Sequence, residues 1–337
     1  MLSSNSNRTL PNSSPRLESE TGVGRKRRHR VDQSLEHAIA SIVQTRAGKH
    51  PMPVVHSFFD EATSTASYVV HDPISLAAAI IDPVLDFDAP TCRCSETSAQ
   101  AIVAHIESEG LSTVWLLETH VHADHLTAAS FLQARVGGTL AIGRAITTVQ
   151  RIFGGLFNAG PEFLRDGSQF DHLFDDGEGF KIGAIECRVL NVPGHTPDGV
   201  AYVIGDSVFC GNTMLMPDYG TARADLPGGD ARRLFRSIRR LLCLPDEARL
   251  FVSHDYKAPG RDAYAWETTI GVERTTNVHV RDGITEDAFV AARTARDATL
   301  TLPKLLLQAT QVNMRAGALP PVENNGKRYL RIPLNTI

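Results

Sequence analysis

The stretch Glu118-Thr119-His120-Val121-His122-Ala123-Asp124-His125 constrains this chain more than any other. It places His120, His122, Asp124 and His125 within six residues. Imidazole nitrogen and carboxylate oxygen are the usual ligands of divalent transition metals, so three histidines and a carboxylate this close suit a metal. A lone histidine is more often a surface or satisfied core residue, but four ligand-type side chains in one short loop are hard to explain that way. Thr113–Leu117 just upstream is apolar and β-favouring, and Leu126–Leu132 just downstream reads as a helix. The cluster is therefore expected at the C-terminal end of a strand, in a loop leading into a helix, where α/β proteins place their chemistry.

The 337 residues suffice for one large domain or two small ones, and 42% hydrophobic content fits a globular protein. A formal charge of -4 gives no electrostatic case for nucleic acid. No run of 18 apolar residues is present, which argues against a membrane span, and the N-terminus lacks the apolar region of a secretory signal. The five cysteines, Cys92, Cys94, Cys187, Cys210 and Cys243, are odd in number and lack framework spacing, so reduced thiols in a cytoplasmic compartment are expected. A mitochondrial presequence is the alternative, although Glu18 and Glu20 interrupt its basic pattern. Residues 1–50 read as a weakly ordered tail containing the basic run Gly24–Arg30, with a short amphipathic helix over Val31–Ala47.

The folded unit is expected to occupy residues 51–337. Short strands at Ser67–Val70 and Ala78–Ile81 flank a turn at Asp72-Pro73, and helical spacing follows at Ser98–Glu109. After the histidine loop come a helix (Ala128–Arg135), a strand (Thr139–Ile142) and a helix (Ala145–Phe153), then an irregular stretch over 154–176. Strands follow at Phe180–Ile182, Glu186–Val192, Val200–Ile204 and Ser207–Cys210. A helix at Ala231–Leu242 is capped by Asp230, with five arginines on a solvated face. Ala248–Val252 is the last buried strand, and the chain is mainly helical from Thr285 to Pro303. Two rounds of strands flanked by helices predict an α/β fold, a four-layer αββα sandwich.

Three later strand ends carry further polar candidates: His195 in Pro193-Gly194-His195-Thr196-Pro197, Asn212 in Gly211-Asn212-Thr213, and His254 in Ser253-His254-Asp255-Tyr256. Together with the histidine loop, these motifs resemble the metallo-β-lactamase superfamily. Ile81-Asp82-Pro83-Val84-Leu85, Tyr219–Asp225 and Asn313–Gly317 narrow the resemblance to its persulfide dioxygenase branch, over roughly Pro53 to Pro320. That resemblance implies one Fe(II) per chain and O2-dependent oxidation of glutathione persulfide to sulfite and thiol, with a homodimer as one arrangement. It makes His120 and His195 two metal ligands and puts Asn212 where the branch has a ligand aspartate. It assigns Arg223 and Asp225 to the glutathione site and its support, and Tyr256 to a catalytic, substrate-contacting role.

Asn212 departs from the pattern. A neutral amide oxygen compensates less metal charge than a carboxylate and bridges two metals poorly. His122, Asp124, His125 and His254 would furnish a second metal site, and Asp82 is expected to orient a ligand histidine from behind. The alternatives are a zinc-dependent or dinuclear hydrolase of a thioester or lactone, like glyoxalase II, and a metal-impaired relative that only binds. Cys210 reads as a buried strand residue. Lys257 is a candidate for substrate carboxylates. His56, His71, His105, His172 and His279 are expected at the surface.

Overall fold

Runs of β-branched and aromatic residues open the fold, and their burial decides their place in it. The computed structural model describes residues 51–336; the basic run and the expected helix at Val31–Ala47 lie outside them. β1 (Val54–Asp60) and β2 (Thr65–His71) form an antiparallel hairpin. β2 is buried almost throughout, as befits a strand covered on both faces, whereas β1 is a sheet edge. β3 (Ala77–Ile81) adds antiparallel to β2, and β6 (Ser112–Leu117), β8 (Thr139–Gly143) and β9 (His172–Phe174) then add in parallel, completing the order β1-β2-β3-β6-β8-β9. Parallel neighbours need crossovers. Helices α1 (Thr97–Ser108), α2 (Ala129–Val136) and α3 (Ile146–Leu156) supply them.

The second sheet follows chain order: β10 (Gly179–Ile182), β11 (Ile185–Asn191), β12 (Val200–Ile204), β13 (Ser207–Phe209), β14 (Arg249–Phe251) and β15 (Glu267–Thr269). Its one parallel pair, β13 with β14, is bridged by α4 (Ala231–Leu241). The sheets face each other across a core that includes Tyr68, Ile81, Leu117, Phe174, Tyr202 and Phe209. A second core lies between the first sheet and α1–α3. A third joins the second sheet to α4 and α6 (Glu286–Asp297). The predicted αββα sandwich is the observed architecture.

Several local expectations need correction. Leu126–Thr127 is not helical but a two-residue strand, β7, paired with β4 (Val84–Asp88); β5 (Arg93–Ser95) completes this small sheet. The apolar run there is needed to bury Leu126 against α7 (Leu306–Asn313), so tertiary packing overrides helical spacing. The stretch 154–176 is irregular except for the last turn of α3, to Leu156, and for β9, which ends the first sheet. The arginines of α4 are more than a solvated face. Arg232 and Arg236 pair with Glu286 of α6, Arg239 with Asp282 and Arg240 with Asp176. Asp230 does cap this helix, accepting from the backbone N–H groups of Arg232 and Arg233. Cys94 stands in β5, and Cys210 is buried as expected. No helix among the described residues is long and apolar enough to cross a membrane.

Within α5 (Ile270–Thr276), Glu273 is fully buried and meets only the Asn277 amide, at 2.6 Å. Burial raises its carboxyl to about 8, against an opposing hydrogen bond from Asn277. The unfolded chain releases this proton near its ordinary value of 4.5 while the folded chain keeps it. Stability from this residue is therefore full in acid and is lost as pH rises toward and through 8. Glu273→Gln should leave the melting temperature unchanged at pH 5 and raise it by roughly 5 °C at pH 9. Parallel melting curves for the two proteins across that range would refute the assignment.

Candidate metal centre

The histidine loop leaves the end of β6 and is pinned from three sides. Val121 N–H donates to the buried Asp198 Oδ2 at 3.0 Å. Asn313 at the end of α7 donates through Nδ2 to the carbonyls of His122 and His125, at 2.9 and 2.8 Å, and its Oδ1 accepts from Thr127 N–H. Asp82 takes a left-handed backbone, φ 47°, and accepts from Thr119 N–H and Thr119 Oγ1, both at 2.7 Å. Two glycines allow the neighbouring loops to close in. At Gly194, φ 143°, a Cβ would lie 2.2 Å from the Leu234 nitrogen, and at Gly211, φ 56°, 2.6 Å from Thr119 Oγ1.

These contacts fix which nitrogen each ring offers. His195 Nδ1 donates to the Arg223 carbonyl at 2.7 Å, and His254 Nδ1 to the Ser64 carbonyl at 3.1 Å, because a carbonyl can only accept. Thr119 Oγ1 spends its proton on Asp82 and so accepts from His120 Nδ1 at 2.9 Å. His122 directs Nε2 at Asp82, 3.1 Å away. The result is a set of buried atoms without hydrogen-bond partners among the described residues: Nε2 of His120, His125 and His254, both ring nitrogens of His122, and Oδ1 of Asn212. His254 Nε2 lies 2.7 Å from Asp124 Oδ2, yet off hydrogen-bond alignment, as two ligands converging on a common point would. Ligand atoms of His122, Asp124, His125 and His254 all fall within 4.8 Å of one another. Buried polar atoms normally find partners, so this cluster fits a divalent metal.

The electrostatics agree. Burial, reinforced by the His122 ring, brings His125 down to about 4, and burial with the His122 and His195 rings holds His120 well below its ordinary value. Neutral imidazoles are what a metal requires. Burial opposes ionisation of Asp124, but the neighbouring His254, His122 and His125 rings outweigh it and hold the carboxyl well below the usual range. His122, drawn by Asp82 and Asp124 against the cost of burial, rises to about 10. The centre thus attracts positive charge, which a metal supplies.

A cavity of about 670 Å³ opens onto this cluster. Asp124, His195, Asn212 and His254 stand at its floor, and Phe87, Leu215, Leu302 and Leu305 on its walls. Arg223, Arg296 and Lys304 bring positive charge to it. Arg223 is held by Asp225, at 2.6 and 2.8 Å, and donates to the Thr301 carbonyl at 2.6 Å. Tyr256 lines the same cavity, half exposed, with its ring centroid 5.7 Å from that of His254.

The sequence candidates therefore gather at one place. His122, Asp124, His125 and His254 form the tight group; His120, His195 and Asn212 flank it, with Asn212 Nδ2 3.5 Å from His195 Nε2. Asp82 sits behind His122 as expected, and it too belongs to a group with Glu118 and His122. Lys257 does not line the cavity, because its ammonium caps the Tyr264 ring at 4.1 Å. His279 is not a free surface residue: it accepts from Thr221 N–H at 3.1 Å beside the cavity. The backbone-holding roles of Asp198 and Asn313 escaped sequence reasoning, although Asn313 opens a motif of the resemblance, because a buried residue that secures backbone has no ligand-type spacing to betray it.

No protein-family model matches the chain. It is 53% identical to a probable metallo-hydrolase of Burkholderia pseudomallei over 84% of this chain and 99% of that protein. It is 51% identical to a β-lactamase hydrolase-like protein of Xylella fastidiosa, over 85% of this chain but only 65% of the relative's length. The chain belongs to the metallo-β-lactamase superfamily. Within that superfamily it is 44% identical to glyoxylase B2 of Dictyostelium discoideum (83% of this chain, 97% of that one). It is 25% identical to the human mitochondrial persulfide dioxygenase ETHE1 (82% and 93%). The crystal structure of ETHE1 from Myxococcus xanthus superposes with a TM-score of 0.63 at 28% identity, covering 79% of this chain and all of that one. The superfamily is metal-dependent, and persulfide dioxygenase is thus a more distant likeness than the hydrolases.

Asn313 holds the loop without touching the ligand atoms, so its loss should loosen the centre rather than dismantle it. Asn313→Ala should weaken zinc binding about tenfold in a competition titration against a chromophoric chelator, while the circular dichroism spectrum is kept. Unchanged affinity would show that the loop keeps its shape without these three hydrogen bonds.

Proposed function

We propose that this chain is a metal-dependent hydrolase of thioesters formed by small, acidic thiols, similar in chemistry to glyoxalase II. The observation that carries the reading is the convergence of His122, Asp124, His125 and His254, with Asp124 and His254 at the floor of a cavity with cationic walls. A bound metal would lower the pKa of water and polarise the thioester carbonyl. The chain's own side chains do the rest. Arg223, fixed by Asp225 and the Thr301 carbonyl, presents its remaining edge to a substrate carboxylate. Phe87, Leu302 and Leu305 cover the acyl and thiol carbon and keep bulk water out. Tyr256 stands at the mouth, where its hydroxyl can meet a substrate's polar end. The similarity to metallo-hydrolases and to a glyoxylase supports this reading.

A second reading, iron- and O2-dependent oxidation of glutathione persulfide, is supported by the resemblance to the Myxococcus structure and by the presence of His120, His195, Arg223 and Tyr256. It requires Asn212 to do the work of a carboxylate. The two are separated by loading the protein anaerobically with zinc or with Fe(II). Hydrolysis of a hydroxyacyl-glutathione thioester is then followed alongside O2 uptake with glutathione persulfide. Thioester hydrolysis that falls at least 1,000-fold in Asp124→Ala is expected. O2 uptake with no thioester turnover would replace the first reading by the second. Loaded protein active in neither assay would leave a binding protein.

Arg223→Ala retains the carbonyl that orients His195 and removes only the guanidinium. KM for a carboxylated thioester should rise about tenfold with kcat little changed, as for loss of uniform binding. A fall in kcat at constant KM would instead place Arg223 in the chemical step.

A further inference from the structure

The flanking and central ligand groups are unequal in a way that follows from this chain's own residues. Asp124, His125 and His254, with His122 alongside, bring imidazole nitrogens and one carboxylate to within 4.8 Å of one another. His120, His195 and Asn212 carry no carboxylate at all. The two groups share a wall, since the His120 and His122 ring centroids are 3.9 Å apart. The Asn212 amide turns Nδ2 toward His195 Nε2 at 3.5 Å and lines the open cavity, whereas its Oδ1 is buried without a partner. An amide oxygen gives a divalent cation far less charge compensation than a carboxylate, and it is a poor bridge between two cations. Of the positions flanking the cavity, only Asp124 brings a carboxylate to the convergent nitrogens.

Building on the metal-dependent reading above, we infer that each chain holds a single divalent ion in the nest of Asp124, His125 and His254. On this inference Asn212 is not a ligand. It is a neutral hydrogen-bonding group on the cavity floor that orients the substrate beside the ion. His195, fixed by the Arg223 carbonyl, shares that floor, and the His120 ring, held through Thr119, has its centroid 5.2 Å from that of His195.

The test is metal content, which does not depend on turnover. Full-length protein and the variants Asn212→Ala, Asn212→Asp and Asp124→Asn are stripped, confirmed folded by circular dichroism, and titrated with Zn(II) and Co(II). Metal per chain is measured by plasma mass spectrometry, and Co(II) ligand-field absorption reports the coordination. The parent protein should bind one ion. Asn212→Ala should keep that ion, its Co(II) spectrum and its affinity to within about threefold, whereas Asp124→Asn should lose affinity about 100-fold. Asn212→Asp should bind a second ion. The inference is overturned if the parent binds two ions, or if Asn212→Ala loses the metal while Asp124→Asn keeps it; the metal-dependent reading survives both results. That reading fails instead if no folded variant, Asn212→Asp included, binds metal.

Discussion

The carboxylate of Asp82 ties the centre together. It accepts from the backbone and hydroxyl of Thr119, from Ser253 Oγ at 3.0 Å, and lies 3.1 Å from His122 Nε2. Its own backbone N–H donates to the Leu117 carbonyl, and its carbonyl accepts from Ser67 Oγ at 2.7 Å. One fully buried residue, through its backbone and side chain together, therefore joins β2, β3 and the ends of β6 and β14. Burial alone would favour the neutral acid, but His122 and the Thr119 hydrogen bonds outweigh that cost and hold the carboxyl below its ordinary range. A buried charge so fully satisfied is directional: it sets the orientation of His122 directly and of His120 through Thr119.

The sandwich supplies the rigid base this arrangement needs. Phe209 and Phe251 stack between the sheets with centroids 4.8 Å apart, and Tyr68 meets both edge-on. The buried tyrosines also use their polar ends, Tyr202 donating to the Glu118 carbonyl at 2.8 Å and Tyr68 to that of Val252. Each thereby ties the opposite sheet to a strand end that leads into a site loop. Burying aromatic area between the sheets and fixing ligand loops are here one and the same packing event.

Outside the sandwich, ion pairs position the loops that carry His254 and Arg223. Asp255, fully buried, takes two contacts from Arg261, at 2.5 and 2.6 Å, and the Ala265 N–H at 2.8 Å. Arg293 and Asp297, both buried on α6, hold the Thr221 carbonyl and the Ala224 N–H. The segment that brings Arg223 to the cavity is thus clamped on both sides by a charged pair that water does not reach. Such pairs add little net stability but hold geometry, because breaking one leaves an uncompensated buried charge.

The sequence by itself determined the alternation of strands and helices, the four layers and the set of candidate metal-ligating side chains. Periodicity and ligand chemistry are local properties, visible in Thr113–Leu117 followed by the histidine loop. The same local logic misread Leu126, whose apolar neighbours suit a helix but whose burial against α7 makes it a strand. Sequence named His120, His122, Asp124, His125, His195 and His254 together, but the tertiary structure decided which of them converge and which nitrogen each presents. Those choices depend on carbonyls of Ser64 and Arg223 and on Asn313, residues 190, 28 and more than 180 positions away from what they orient or hold. No local pattern encodes a hydrogen bond whose acceptor is an ordinary backbone carbonyl, so the ligand set was written in the chain while its geometry was settled only by the fold.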